Sequence, residues 1–358
     1  MIELGAKTKT LICIGTGGVG KTTMAASMGV GFAYQGQKVL VLTIDPSKRL
    51  AQALGIKPDG DPHEVKLVEN TSSGALWACV VNHQKTFEYF IREAAGSKAG
   101  AGAKPISGES LNRLLNNKLY HQLSGRLSGS QDFTSLITLN RYVTGGEFDL
   151  VILDTPPSQH TWNFLRAPEK IAGLFNEGIA RWFRDADSKD ANIFKKMINV
   201  GTSQVLKALE LLTGSQFIKE LSTFFQAIQK WQKPLEDYIM NCHRLLISAE
   251  TEFILVTALD PSRLSEAQKL SREIKMQGYR LTTVIINRVP LWLASTTKTD
   301  STRVKSLISY YQSLENDLQG RLNQFKTQLK VYKCYELRQN TEDVSSLQKN
   351  FDELVSLN

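Results

Sequence analysis

Short apolar runs recur along this chain, separated by segments with helical spacing. Leu11 to Ile14, Lys38 to Ile44, Leu76 to Val81, Leu150 to Leu153, Phe253 to Ala258, Thr283 to Asn287 and Val331 to Leu337 read as strands. Runs without polar alternation suit strands covered on both faces of a parallel sheet. Helices are predicted at 21–35, ended by Gly36, at 48–55, at 262–277, ended by Gly278, over the polar stretch 302–329, and at 342–356. Ala94 to Gly108 is rich in Gly, Ala, Ser and Lys and reads as a flexible loop between two helical stretches. From 168 to 249 there is no strand signal. Apolar residues such as Ile171, Leu174, Phe175, Phe224, Ile228 and Trp231 keep helical spacing there. The expectation is an α/β fold, a mostly parallel sheet flanked by helices, over 1–167 and 250–358. A helical subdomain, 168–249, is inserted in it.

The strand-to-helix step at the start carries the candidate chemistry. Between Ile14 and the Ala/Met-rich helix lies Gly15-Thr16-Gly17-Gly18-Val19-Gly20-Lys21-Thr22-Thr23. This satisfies Gly-x-x-x-x-Gly-Lys-Ser/Thr, the phosphate loop of nucleotide-binding proteins. Glycines let the backbone wrap a triphosphate closely, so that several N–H groups face it. The helix beginning near Lys21 adds its positive end. Lys21 is expected to neutralise the β- and γ-phosphates, and the Thr22 hydroxyl to hold Mg²⁺. Only one such loop occurs, and no internal repeat is visible.

Two carboxylates follow strands beside this loop. Asp45, after Thr43-Ile44 and before Pro46, can face the γ-phosphate and orient or deprotonate an attacking water. Asp154 follows four apolar residues, the pattern of the carboxylate that holds Mg²⁺, usually through water. The loop after it, Thr155 to Thr161, can sense the γ-phosphate and leads into the helical insertion. His160 within it suits a structural role better than a catalytic one. Asn287, ending a late strand, has the donors and acceptor to pair with an adenine edge, although Asn also favours turns.

Composition narrows the classes. No stretch approaches the ~18 apolar residues of a membrane-spanning helix, and the short polar N-terminus carries no secretory signal, so a cytoplasmic protein is expected. The net charge of +8 is spread widely rather than gathered in a stripe, which argues against nucleic acid. Cys13, Cys79, Cys242 and Cys334 are far apart and include no Cys-x-x-Cys. Cys13 in the first strand reads as a buried, inert thiol.

Together, GTGGVGKTT at 15–23, IDPSKRLAQALG at 44–55, LDTPPSQHTWNFLRAPE at 153–169 and INR at 286–288 resemble the ArsA-type ATPases. That family holds the arsenite-pump ATPase and the ATPase guiding tail-anchored membrane proteins, within the deviant-phosphate-loop class of P-loop NTPases. The resemblance implies that Asp45 is the catalytic carboxylate, Asp154 the Mg²⁺-linked aspartate and Asn287 an adenine contact, with Asp260 close by in a neighbouring loop. It implies a homodimer holding two ATP molecules, and a hydrophobic protein client or membrane-protein partner for the helical insertion. Two departures stand out. Thr16 occupies the position of the family's signature lysine, which reaches the partner's ATP; Lys48 and Arg49 are substitutes by position only. The zinc-clasping Cys-x-x-Cys is missing, as are clustered thiolates for arsenite. The insertion also has few methionines, Met197 and Met240, whereas adaptable client grooves favour them; its aromatics read as helix-packing core rather than as a groove for an apolar helix.

Two functions remain open at this stage. One is a Mg-ATP hydrolase whose cycle switches a homodimer and its helical layer. The other is an ATP-stabilised dimeric scaffold with little turnover. A DNA- or membrane-binding partitioning ATPase would need a basic surface or an amphipathic tail, and the acidic C-terminal helix does not supply the tail. A small-molecule kinase lacks an identifiable acceptor site.

Overall fold

In the computed structural model, the described residues are 2–44, 49–67, 74–96, 131–155, 232–290, 301–323, 329–336 and 343–357. The expectations for Asp45, Lys48, the Ala94 to Gly108 loop beyond Gly96, residues 156–161 with His160, and the insertion up to Trp231 lie outside them. Among the described residues, nine strands form one sheet in the order β3-β4-β2-β5-β1-β6-β7-β8-β9. They are β1 (Thr10–Gly15), β2 (Lys38–Thr43), β3 (His63–Val65), β4 (Ala75–Val80), β5 (Leu150–Asp154), β6 (Thr251–Ala258), β7 (Leu281–Val289), β8 (Lys330–Tyr335) and β9 (Val355–Ser356). The seven inner strands pair in parallel, and β3 and β9 close the edges antiparallel.

β1 sits near the middle, between β5 and β6. The chain leaving β1 crosses β5 to reach β2, whereas the chain leaving β6 steps outward to β7 and β8. The order therefore reverses beside the carboxyl end of β1, where open α/β sheets bind ligands. The glycine loop begins at that point.

Helix α1 (Lys21–Tyr34) follows the loop and is buried at every position from Met24 to Ala33. Its small residues permit close approach on two sides. A Cβ at Gly29 would stand 2.3 Å from Val41 Cγ2 of β2, and one at Gly31 would stand 2.2 Å from Phe351 Cδ1. Phe351 belongs to the C-terminal helix, and its ring meets Phe32 edge-on at 5.4 Å. The other helices are α2 (Arg49–Leu54), α3 (His83–Gly96), α4 (Gln131–Gly145), α5 (Gln232–Ile247), α6 (Pro261–Met276), α7 (Thr302–Asn323) and α8 (Val344–Asp352). None of those described is long and apolar enough to cross a membrane.

The C-terminus departs from expectation. The helix predicted over 342–356 starts after Asp343, whose side chain accepts from Ser346 N at 2.8 Å, and ends at Asp352. Val355 and Ser356 then pair with Lys333 and Tyr332 as a strand. Helical spacing of the apolar residues does not register that the edge of β8 offers unpaired backbone groups nearby. β3 was likewise not predicted, being too short to carry a period.

The chain divides into two compact units, 1–82 with 138–164 and 244–358, and 83–137 with 165–243. The first holds the whole sheet. In the second, Phe90 of α3 packs edge-on against Tyr238 of α5 at 5.2 Å, and Tyr238 donates to the Ile137 carbonyl at 3.3 Å. Cys242 lies in the same packing, its thiol pushed up to about 12 by burial.

Candidate nucleotide site

Gly15 ends β1 against the β6 backbone. A Cβ there would lie 2.1 Å from the Val256 carbonyl oxygen, and φ is +154°. Only glycine lets the chain leave the sheet at this point. Thr16 is fully buried. Its carbonyl accepts from Lys21 Nζ at 2.9 Å, so the lysine folds back across the loop with only 7 % exposure. Gly18 (φ +75°) stands at the exposed crest, where an added Cβ would meet nothing within 4 Å. Gly20 (φ +89°) then caps α1 without a side-chain acceptor, and the first helical turn contains no acid. The N–H groups opening this helix are thus matched to an external anion.

Thr22 and Thr23 follow on the first turn of α1. Thr22 Oγ1 donates to Asp154 Oδ2 at 2.6 Å. Thr43, the last residue of β2, donates to the same oxygen at 2.9 Å. β5 delivers Asp154 because it lies between β1 and β2, pairing Asp154 with Cys13 on one side and Thr43 on the other. Asp154 is 1 % exposed. A hydroxyl and a carboxylate side by side form an all-oxygen donor set that fits Mg²⁺. Thr43 escaped the sequence reading. Its available signal was its place at the carboxyl end of a strand adjacent to β5.

The next residue, Thr155, anchors the chain leaving this carboxylate. Its N–H and Oγ1 both donate to the Cys13 carbonyl, at 3.3 and 2.7 Å. The Cys13 thiol itself is raised well above its ordinary value, first by burial and then by the Asp154 charge, with Lys21 pulling it down. It is an unreactive part of the core, as are the buried free thiols Cys79, Cys242 and Cys334.

Asn287 lies in β7 and Asp260 just past the end of the neighbouring β6, whose Ala258 pairs with Asn287. Asn287 is buried, and its Nδ2 donates to the Val19 carbonyl of the glycine loop at 2.8 Å. Asp260 caps α6, accepting from Ser262 N at 3.0 Å and Arg263 N at 3.1 Å. The Ser262 hydroxyl bond, then the Arg263 amide, hold its carboxyl below the usual range. Asp260 is exposed, so the geometry displays a helix cap at the rim of this region. Of the residues singled out in the sequence, Gly15 to Thr23, Asp154 and Asn287 thus converge at the carboxyl end of the sheet centre. Asp45 lies outside the described residues.

Comparison with known proteins agrees with this architecture. The ArsA ATPase family model, described as anion-transporting ATPase, matches residues 8–349. The ATPase asna-1 of Caenorhabditis elegans is 22 % identical over 283 residues, covering 77 % of this chain and 72 % of its own. ATPase GET3B of Arabidopsis thaliana is 26 % identical over 294 residues, 80 % of this chain and 65 % of its own. A putative arsenical pump-driving ATPase 1 of Aquifex aeolicus is 22 % identical over 285 residues, 78 % of this chain and 63 % of its own. The chain therefore spans between 63 % and 72 % of the length of these relatives. With a family match across nearly its whole length, a parallel sheet and a glycine loop at the sheet's reversal point, the chain belongs to the ArsA family of P-loop ATPases.

Proposed function

We infer that this chain binds Mg-ATP in the glycine loop, hydrolyses it, and uses the cycle to switch a homodimer that handles a protein or membrane partner. The observation that carries the reading is the Thr22–Asp154–Thr43 cluster at the foot of the loop helix. It sets a hydroxyl and a carboxylate beside the first turn of α1, the turn that carries the anion-facing N–H groups.

The chain's own groups divide the work. The loop amides and the end of α1 bind the phosphates. Lys21, held across the loop by the Thr16 carbonyl, meets the charge that grows on the transferred phosphoryl group. Thr22 and Asp154 hold the metal, and Thr43 orients Asp154. Bound there, Mg²⁺ supplies positive charge against the phosphate oxygens. Asp45 orients or deprotonates the attacking water. Asn287 reads the adenine edge, with Asp260 near it. Residues 1–167 and 250–358 serve as the nucleotide domain, apart from 83–137, which group with 165–243 in the second compact unit, and 168–249 serve as the helical subdomain that meets the partner, in a cytoplasmic setting.

One observation favours a second reading, an ATP-stabilised dimeric scaffold with little turnover. Thr16 is fully buried and uncharged where the family carries its signature lysine, so this position offers no cation to a second protomer. Steady-state phosphate release with light scattering separates the two. The hydrolase reading expects Mg-dependent turnover that Asp45→Asn abolishes while ATP binding and dimer formation persist. Nucleotide-dependent dimers without turnover in the natural sequence establish the scaffold instead, and absence of Mg-ATP binding removes both.

A further inference from the structure

We propose that Asn287 is a positioning residue that locks the Val19–Gly20 peptide of the glycine loop in its phosphate-binding orientation. The inference deepens the nucleotide reading and rests on it.

Three observations converge. The first is the buried 2.8 Å bond from Asn287 Nδ2 to the Val19 carbonyl, which ties β7 to the loop across 268 positions of sequence. A trans peptide is planar, with its C=O and N–H pointing opposite ways. Holding the Val19 oxygen toward β7 therefore directs the Gly20 N–H away from β7. Glycine at φ +89° would otherwise let this peptide turn over at little cost.

The second is the fit between the amide and the glycine. A Cβ on Gly20 would sit 2.4 Å from Asn287 Nδ2. The missing side chain is the space that the carboxamide fills. Gly20 thus serves both the left-handed turn into α1 and the approach of this amide.

The third is a local distortion of β7 that aims the side chain. Pairing with β8 shifts register between Ile286 and Val289. Arg288 within the shift has φ +56°, the one positive φ outside glycine among the described residues. Its N–H donates to Asn287 Oδ1 at 2.9 Å. Bulges re-aim side chains beside active sites, and a non-glycine residue in this region is uncommon. The distortion fixes the carboxamide from its oxygen side while the nitrogen side grips the loop.

A carboxamide has two amide protons and two lone pairs on oxygen. One of each is engaged by Val19 and Arg288, which leaves one of each for a base edge. The same group can therefore read the base and transmit its own placement to the phosphate loop.

Magnesium tripolyphosphate, which carries the phosphates without a base, is the discriminating probe. Its affinity and that of Mg-ATP are measured by calorimetry on the full chain, for the natural sequence, Asn287→Ala and Asn287→Asp. Aspartate matches asparagine in shape and still accepts from Arg288 N–H, but cannot donate to Val19. Amide exchange across 15–23 is followed in the same proteins without ligand. The clamp predicts that both variants bind tripolyphosphate about tenfold more weakly, the effect of one lost buried hydrogen bond, and exchange faster at the loop. Weakened ATP binding with unchanged tripolyphosphate affinity overturns the proposal, leaving Asn287 as a base contact alone. If the natural sequence binds neither ligand, the nucleotide reading fails separately, and loop exchange unchanged in Asn287→Asp overturns the clamp on its own.

Discussion

Thr22 and Asp154 stand 132 positions apart in sequence, and a 2.6 Å hydrogen bond joins them. Thr43 reaches the same carboxylate oxygen from the other side at 2.9 Å. The two hydroxyls fix how Asp154 faces the start of α1. This arrangement connects the end of one strand, the end of another and the first turn of a helix at a single oxygen.

Asp154→Asn removes the negative charge but keeps the shape. Turnover is expected to fall about a hundredfold, the scale of a lost metal contact, and the Mg²⁺ concentration for half-maximal rate to rise. Thr43→Val, which removes only the orienting donor, is expected to turn over at a rate between those of Asp154→Asn and the natural sequence. Phosphate release titrated with Mg²⁺ checks both; a rate unchanged in Asp154→Asn would dismiss the proposed metal role.

Two loop glycines should fail in different ways. Alanine at Gly15 collides with the Val256 carbonyl at 2.1 Å, so its cost is paid in folding stability, about 2–4 kcal/mol. Alanine at Gly18 meets nothing, so only the positive φ is strained, about 1 kcal/mol. Urea unfolding measures the contrast. Gly18→Ala should instead act mainly on nucleotide affinity, by placing a methyl group on the loop crest.

The tight seat of Phe351 on α1 predicts a compensating pair. Gly31→Ala overpacks the contact with Phe351 and should destabilise by about 1–3 kcal/mol. Phe351→Leu leaves room for the new methyl group. The double variant should therefore be more stable than the sum of the two losses, and a double-mutant cycle in urea reads the coupling. Additive losses would mean that α1 and α8 shift apart instead.

Asp260 makes a pH-dependent contribution of defined sign. Its folded-state pKa lies below the ordinary value, so its stabilisation is present at neutral pH and disappears as pH falls through the acidic range below that value. The site is exposed, which keeps the effect to at most about 1 kcal/mol. Asp260→Ala should lower stability at pH 7 and match the natural sequence in strong acid. Asp260→Asn, also a good cap, should change little at pH 7. Thermal unfolding across pH distinguishes them.

Much of the architecture was legible in local pattern. Continuous apolar runs announced the inner strands, since a strand covered on both faces needs no polar alternation. The glycine loop announced itself through spacing, because close approach to phosphate and positive φ both demand glycine. Asp154 was legible because it ends such a run. Thr43 was not, since a threonine closing a strand has many ordinary uses. β9 was hidden by the helical spacing that precedes it.

By itself, the sequence determined which segments become the inner strands and the helix after the glycine loop, and which residue types line the start of α1. Those properties depend on neighbours a few positions away. Strand order, the grip of Asn287 on Val19, the pair of hydroxyls on Asp154 and the closing of β8 by the C-terminus were decided only in the tertiary structure. Each joins groups that are far apart or in unrelated elements, and their partnership follows from sheet register and backbone hydrogen-bond demand rather than from any local period.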